Sequence, residues 1–228
     1  MSATDRSGYT FRRARRDGAG NCDGNGNRDG SGSGDCDVRA NGDVAAIAAV
    51  DDSFTTDSIF RVSISESGFA LTEVSLASPL TKQFPAGPDD EDDEDDEDDA
   101  EGGADSHRHA TFVAADPDGA VVGFVSVAYA RWNRRLSVCD LAIAPAHRGR
   151  GVGTGLMACA DEFARDCGAR HVWLEVTNVN APAIHAYRRM GLAFCGLDAS
   201  LYEGTASAGE YALYMSKPVA GSSVGDDR

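Results

Sequence analysis

Apolar residues recur along the chain with two different periods, and each change of period marks an element. A period of two runs through "FRVSISES" from Phe60 and "FALTEVSL" from Phe69, with Ser67-Gly68 as the turn between them. It returns in "TFVAAD" from Thr111 and "AVVGFVSVAYA" from Ala120, joined at "PDG", a hairpin signal. "RLSVCDLAIA" from Arg135 reads as a further strand, which Pro145 ends. The period then lengthens. From Thr154 to Cys167 the apolar residues Leu156, Cys159, Phe163 and Cys167 share one helix face, and Gly168 stops the helix. "HVWLEVT" is a strand, Pro182 lies in the first turn of a helix running to Met190, and Gly191 ends it. "LAFCGLDASLY" and "YALYMSK" supply the last strands. Upstream, "YTFRRARRD" is a first strand from Tyr9 to about Arg16, and Val44, Ile47 and Val50 have helical spacing. Strands that precede, separate and follow two late helices predict an α/β (α+β) fold, a mixed sheet covered by helices.

Two stretches do not fit this pattern. Residues 18–42 carry eight glycines among Asn, Asp and Ser, too little apolar surface to fold, and read as a flexible insertion between a first strand within 1–17 and the main domain over 43–218. The run "DDEDDEDDEDD" from Asp89 to Asp99 sits in an acidic loop over 86–106, and a disordered tail is expected over 219–228. His107 and His109 beside that loop could chelate a metal, but no metal is assigned. The net charge is −16, and lysine occurs only at Lys82 and Lys217. An acidic, lysine-poor surface predicts a salt-adapted host and argues against binding a nucleic-acid backbone. No apolar run approaches the ~20 residues that span a bilayer. The chain is therefore read as cytoplasmic and without a membrane partner, with monomer and homodimer both open. The cysteines form no CxxC pair, and Cys139, Cys159, Cys167 and Cys195 fall in apolar stretches as buried thiols.

The chemistry is concentrated between the strand at Ile143 and the helix at Thr154. Arg148-Gly149-Arg150-Gly151-Val152-Gly153 lacks the lysine of an NTPase phosphate loop, and neither register of G-x-G-x-x-G fits. What stands is [QR]-x-x-G-x-[GA]. Small residues at Gly151 and Gly153 let backbone N–H groups point at an anion, the helix start adds its dipole, and Arg148 and Arg150 add charge. Such a site suits a pyrophosphate.

This segment resembles the main motif of the GNAT-type N-acetyltransferases, and "NAPAIHAYRRMGLAF" resembles their second motif, with Asn180, Ala183 and Tyr187 on one helix face. The resemblance implies a mixed, mostly antiparallel twisted sheet flanked by helices and splayed between its fourth and fifth strands. It implies acetyl-CoA as cosubstrate, contacted by Leu141, Ala142, Ile143, Arg148, Gly149, Arg150, Gly151, Val152, Gly153, Thr154, Asn180 and Ala183. It makes Tyr187 the acid that reprotonates the CoA thiolate. As general base it favours Glu175, the position used in ribosomal-protein N-terminal acetyltransferases of this superfamily, with Asp140 as the alternative. A narrower likeness to streptothricin acetyltransferases rests on "ARWNRRLSVCDLAI" and "GLDASLYEG", and it implies acceptor contacts at Trp132, Asn133, Asp198 and Tyr202. The insertion at 18–42 and Cys139, where an acid is common, depart from that pattern. The implied reaction is acetyl transfer to the amine of a small cationic acceptor, a streptothricin-type antibiotic. Protein N-terminal acetylation and a non-catalytic acetyl-CoA-binding module are the alternatives.

Overall fold

A computed structural model of the chain describes residues 3–4, 8–15, 42–83 and 108–220. Most of the expected insertion, the acidic loop with His107, the end of the tail, and Cys22 and Cys36 lie outside the described residues. The elements are β1 (Ala3–Thr4), β2 (Thr10–Arg13), α1 (Asp43–Ala48), β3 (Phe54–Ser65), β4 (Gly68–Lys82), β5 (Arg108–Ala115), β6 (Val121–Ala130) and β7 (Arg135–Ile143). A short 3₁₀ turn (Pro145–His147) precedes α2 (Val152–Cys167), β8 (His171–Thr177), α3 (Ala181–Arg189), β9 (Ala193–Asp198) and β10 (Ala212–Pro218). Among the described residues no helix is long and apolar enough to cross a membrane.

Eight strands form one sheet in the order β1-β2-β5-β6-β7-β8-β10-β9. Every neighbouring pair is antiparallel except β7 with β8. Counted from the strand after Tyr9, these are the fourth and fifth strands, and the α2 crossover makes them parallel. Alternation decides which face is buried. Leu136 and Val138 of β7, and Val172, Leu174 and Val176 of β8, turn toward α2 and α3. There they meet Leu156, Met157, Ala160 and Ile184, all nearly inaccessible to solvent. On the opposite face α1 places Ile47, with Val50 just beyond it, against Val113, Phe124 and Ala142.

Three local expectations are corrected. Helix α2 begins at Val152, two residues before Thr154, because Gly151 takes a left-handed φ of 89° that turns the chain straight into the helix. Its buried face is Val152, Leu156, Met157, Ala160, Phe163 and Ala164, while Cys159 and Cys167 are half-buried at its margin and Cys139 and Cys195 are exposed. The strand expected from Phe69 runs on through "SPLTK", so that β4 extends to Lys82. The register jumps from Ser58↔Ser75 to Thr56↔Leu80, so Pro79, which has no N–H to donate, falls within a bulge. Strands β3 and β4 form a separate two-stranded ribbon.

Candidate active site

Pairing between β7 and β8 covers only Arg135–Val138 against His171–Leu174. On its other side β7 steps from Val138, opposite Val127, to Asp140, opposite Ser126. Cys139 is therefore an extra residue, a bulge that bends β7 away from β8 just where their pairing stops. The strands diverge and open a cleft of about 1240 Å³. That is larger than the ~300–1,000 Å³ of an ordinary small-ligand pocket, and it leaves room for two reactants end to end. Leu141, Ala142 and Ile143 form one wall, Leu174 to Thr177 the other, and α3 closes one side through Asn180, Ala183 and Tyr187.

At the C-terminal end of β7 the chain enters the glycine loop. Gly149 and Gly151 have φ of 71° and 89°, values that would strain any residue with a Cβ. Gly151 is the N-cap of α2 and offers no side-chain cap, so the first N–H groups of the helix are left for a ligand. A Cβ on Gly153 would sit 2.9 Å from Ile143 Cδ1 and crowd the wall that Ile143 presents. Gly149, Gly151, Gly153 and Thr154 all line the cleft, whereas the Val152 side chain is core and Arg150 is exposed outside the lining. Arg148 lines the cleft too, but its guanidinium is engaged: Nε donates to the Ile143 carbonyl at 2.7 Å and an Nη to the Asp51 carbonyl at 3.3 Å. It braces the loop against β7 and the α1–β3 connection, so part of the charge the sequence offers to phosphate is spent on backbone.

Asn180 caps α3, accepting from the Ala183 N–H at 3.2 Å, and it also faces the cleft. About two turns further, Tyr187 is buried at 8% exposure. Burial first, then the negative charges of Asp140 and Glu175, raise its pKa, so the phenol keeps its proton. Asp140 and Glu175 come from the two diverging strands and both line the cleft. Burial raises both carboxyls above their ordinary range; nearby Asp52 adds to this for Asp140, while Tyr202 and Lys82 oppose it for Glu175. Tyr202 donates its hydroxyl to Glu175 Oε1.

The other expected acceptor contacts are not brought to the cleft. Trp132 is 75% exposed in the β6–β7 turn, and Asn133 accepts from the Arg135 N–H within that same turn. Both sit at the N-terminal end of β7, a strand's length from the glycine loop. Asp198 accepts from the N–H groups of Ser200 and Leu201 and shapes the loop that carries Tyr202.

Asn178, Asp52 and the pair Lys82–Glu210 belong to no motif in the sequence. Asn178 is buried; its Nδ2 donates to the Phe60 carbonyl and its Oδ1 accepts from the Tyr211 N–H, both at 2.8 Å. Asp52 lines the cleft and faces Asp140. Lys82 pairs with Glu210 and Lys217 with Asp161, so both lysines of the chain sit in ion pairs with little solvent access. The lysine scarcity was the one signal that could have singled out Lys82.

A splayed parallel strand pair, a glycine loop at a helix start, and a protonated tyrosine and two carboxylates lining the cleft define an acyl-CoA-type acyltransferase site. Residues 75–192 match the acetyltransferase (GNAT) family, and the chain belongs to that family. It is 57% identical over 178 residues to a streptothricin acetyltransferase of Streptomyces lavendulae, covering 78% of this chain and 90% of that protein. A crystal structure of nourseothricin acetyltransferase superposes with a TM-score of 0.70 at 48% identity, over 93% of this chain and 99% of that one. A Bacillus anthracis structure in complex with acetyl coenzyme A shares the fold, with a TM-score of 0.59 at 21% identity over 77% of this chain and 94% of that one.

Proposed function

We propose that the chain transfers the acetyl group of acetyl-CoA to a primary amine of a streptothricin-type antibiotic, acting in the cytoplasm where acetyl-CoA is made. The observation that carries the reading is the fork between β7 and β8, with the glycine loop at one end and Tyr187, Asp140 and Glu175 within it. The likeness to streptothricin acetyltransferases over nearly their whole length supports the antibiotic as acceptor rather than a protein N-terminus or a non-catalytic role.

The residues fit acetyl-CoA. The pyrophosphate takes the N–H groups at Gly149 to Thr154, and the pantetheine arm follows Leu141 to Ile143, whose backbone has no β8 partner. The acceptor amine enters from the Glu175 side. It gives a proton to Glu175, and its lone pair forms a bond to the thioester carbon. A backbone N–H of the Leu141–Ile143 stretch stabilises the oxyanion. The C–S bond then breaks, and Tyr187 donates its proton to the departing sulfur. Direct attack needs no cysteine, and the bulged Cys139 serves geometry. We assign residues 18–42 and 86–106 no part in this chemistry, and read the acidic surface as an adaptation to salt.

The test is CoA-thiol release with acetyl-CoA and streptothricin in high salt. Release that falls about a hundredfold or more in Tyr187→Phe supports the reading. Absence of release from streptothricin, with acetyl-CoA still bound, removes the antibiotic. Full activity in Tyr187→Phe removes its role as acid. Glu175→Gln is expected to cost more than Asp140→Asn, and the reverse order transfers the base to Asp140.

A further inference from the structure

The loop between β9 and β10, residues 199–211, contributes Tyr202 to the cleft lining and is fastened at both ends. At its start, Asp198 Oδ1 accepts from the Ser200 N–H at 2.8 Å, the Ser200 hydroxyl at 2.9 Å and the Leu201 N–H at 3.1 Å. At its finish, Glu210 Oε2 accepts from Thr177 Oγ1 and Lys82 Nζ, each at 2.5 Å. Lys82 also donates to Ser207 Oγ at 2.8 Å, and Tyr211 N–H is held by Asn178. Within the loop, Thr205 closes a turn onto the Tyr202 carbonyl at 2.8 Å. Tyr202 is thus a half-buried side chain on a stapled loop, and its hydroxyl is spent on Glu175 rather than offered to solvent.

We propose that Tyr202 is a positioning residue for Glu175: its hydroxyl takes one carboxylate oxygen, fixes the plane of the carboxylate and leaves the other oxygen for the acceptor amine. This rests on the reading of Glu175 as general base. It differs from a direct acceptor contact, the role the family resemblance gives Tyr202.

A base must be ionised when the amine arrives, and burial works against that. Around Glu175, Tyr202 from the loop and Lys82 from β4 favour the charged form, while Glu210 disfavours it. Tyr187 of α3 and Tyr214 of β10 also face it, and the charge on Glu175 helps keep both phenols protonated. Tyr202 itself is held protonated by burial and by Glu175, so it remains a donor throughout the working range. It is therefore the group beside Glu175 whose removal changes the carboxylate without changing any formal charge.

Tyr202→Phe deletes only the hydroxyl. With acetyl-CoA saturating, kcat at neutral pH should fall about tenfold, the scale of a lost hydrogen bond to a charged group. The acceptor KM should stay within about twofold, as expected when a transition-state interaction alone is lost. The acid limb of the kcat profile should move to higher pH, with activity recovering above it. In a Glu175→Gln background the second substitution should cost nothing further. Independently of turnover, the ¹³C carboxyl resonance of Glu175 in the substrate-free protein should titrate at higher pH in Tyr202→Phe than in the parent. A raised acceptor KM with an unmoved kcat profile overturns the proposal in favour of direct acceptor contact. Full additivity with Glu175→Gln overturns it as well, and so does an unmoved ¹³C midpoint. If Glu175→Gln alone keeps the parental kcat and profile, the base assignment fails, and that outcome is separate from the ¹³C result.

Discussion

Replacing Asn178 by Ala tests how the β3–β4 ribbon and the β9–β10 loop are held to the body of the protein. Asn178 is 5% exposed and follows β8 directly. Its backbone N–H donates to the Tyr211 carbonyl and its carbonyl accepts from the Phe60 N–H, each at 2.9 Å. The side chain adds the bonds to the Phe60 carbonyl and the Tyr211 N–H at 2.8 Å. Ala removes the two side-chain bonds and leaves one acceptor and one donor short of a partner in a buried place. At about 1–3 kcal/mol for each such group, and with some relaxation, the loss should be about 3 kcal/mol. For a domain of this size that lowers Tm by about 6–12 °C. The assay is urea unfolding with steady-state kinetics on the same preparation. The acceptor KM should rise several-fold, because the β9–β10 loop carries Tyr202 into the cleft, and the acetyl-CoA KM should hardly move. Asn178→Asp supplies the control. At neutral pH it sets a carboxylate against the Phe60 carbonyl and should be at least as damaging as Ala, with partial recovery once the acid protonates and regains a donor. A loss below about 1 kcal/mol with an unchanged acceptor KM would refute the clasp.

Other substitutions probe separate contacts. A Cβ on Gly155 would fall 2.2 Å from the Phe11 ring, so Gly155→Ala should destabilise by about 1–2 kcal/mol despite better helix propensity, and Phe11→Leu should restore part of it in urea unfolding. Asp43 accepts from Arg12 through both oxygens and from the Arg15 N–H at 2.7 Å. The Arg12 hydrogen bond, against the opposing effect of burial, lowers the Asp43 pKa. Its stabilisation is therefore complete above about pH 4, the unfolded value, and lost as pH falls through the lower folded value. Asp43→Asn should cost about 1–2 kcal/mol at neutral pH, and the gap to the parent should narrow in acid denaturation; a gap that widens in acid would reverse the sign. Trp132→Ala should leave the acceptor KM within about twofold, since the ring lies far from the fork; a larger rise would restore it as an acceptor contact.

The hydrophobic periods and punctuating residues determined much of the molecule by themselves. Alternation located β5 to β8, Gly168 and Gly191 ended their helices, and Pro182 opened α3, because each is a local constraint on φ, ψ and burial. The glycine loop, Asn180 and Tyr187 were legible for the same reason: their spacing alone puts them at a helix start and on one helix face. Tertiary structure decided the rest. No local rule marks Cys139 as the extra residue of a bulge, since a bulge exists only against a partner strand, yet it opens the fork. Nor could spacing show that Arg148 is occupied by carbonyls, or that Trp132 lies at the wrong end of β7. Asn178, Lys82 and Glu210 bond across 118, 125 and 33 residues of chain, with Phe60, Ser207 and Thr177. Such pairs form only when the sheet order brings distant strands together, and that order follows from burying the apolar faces of the whole chain at once.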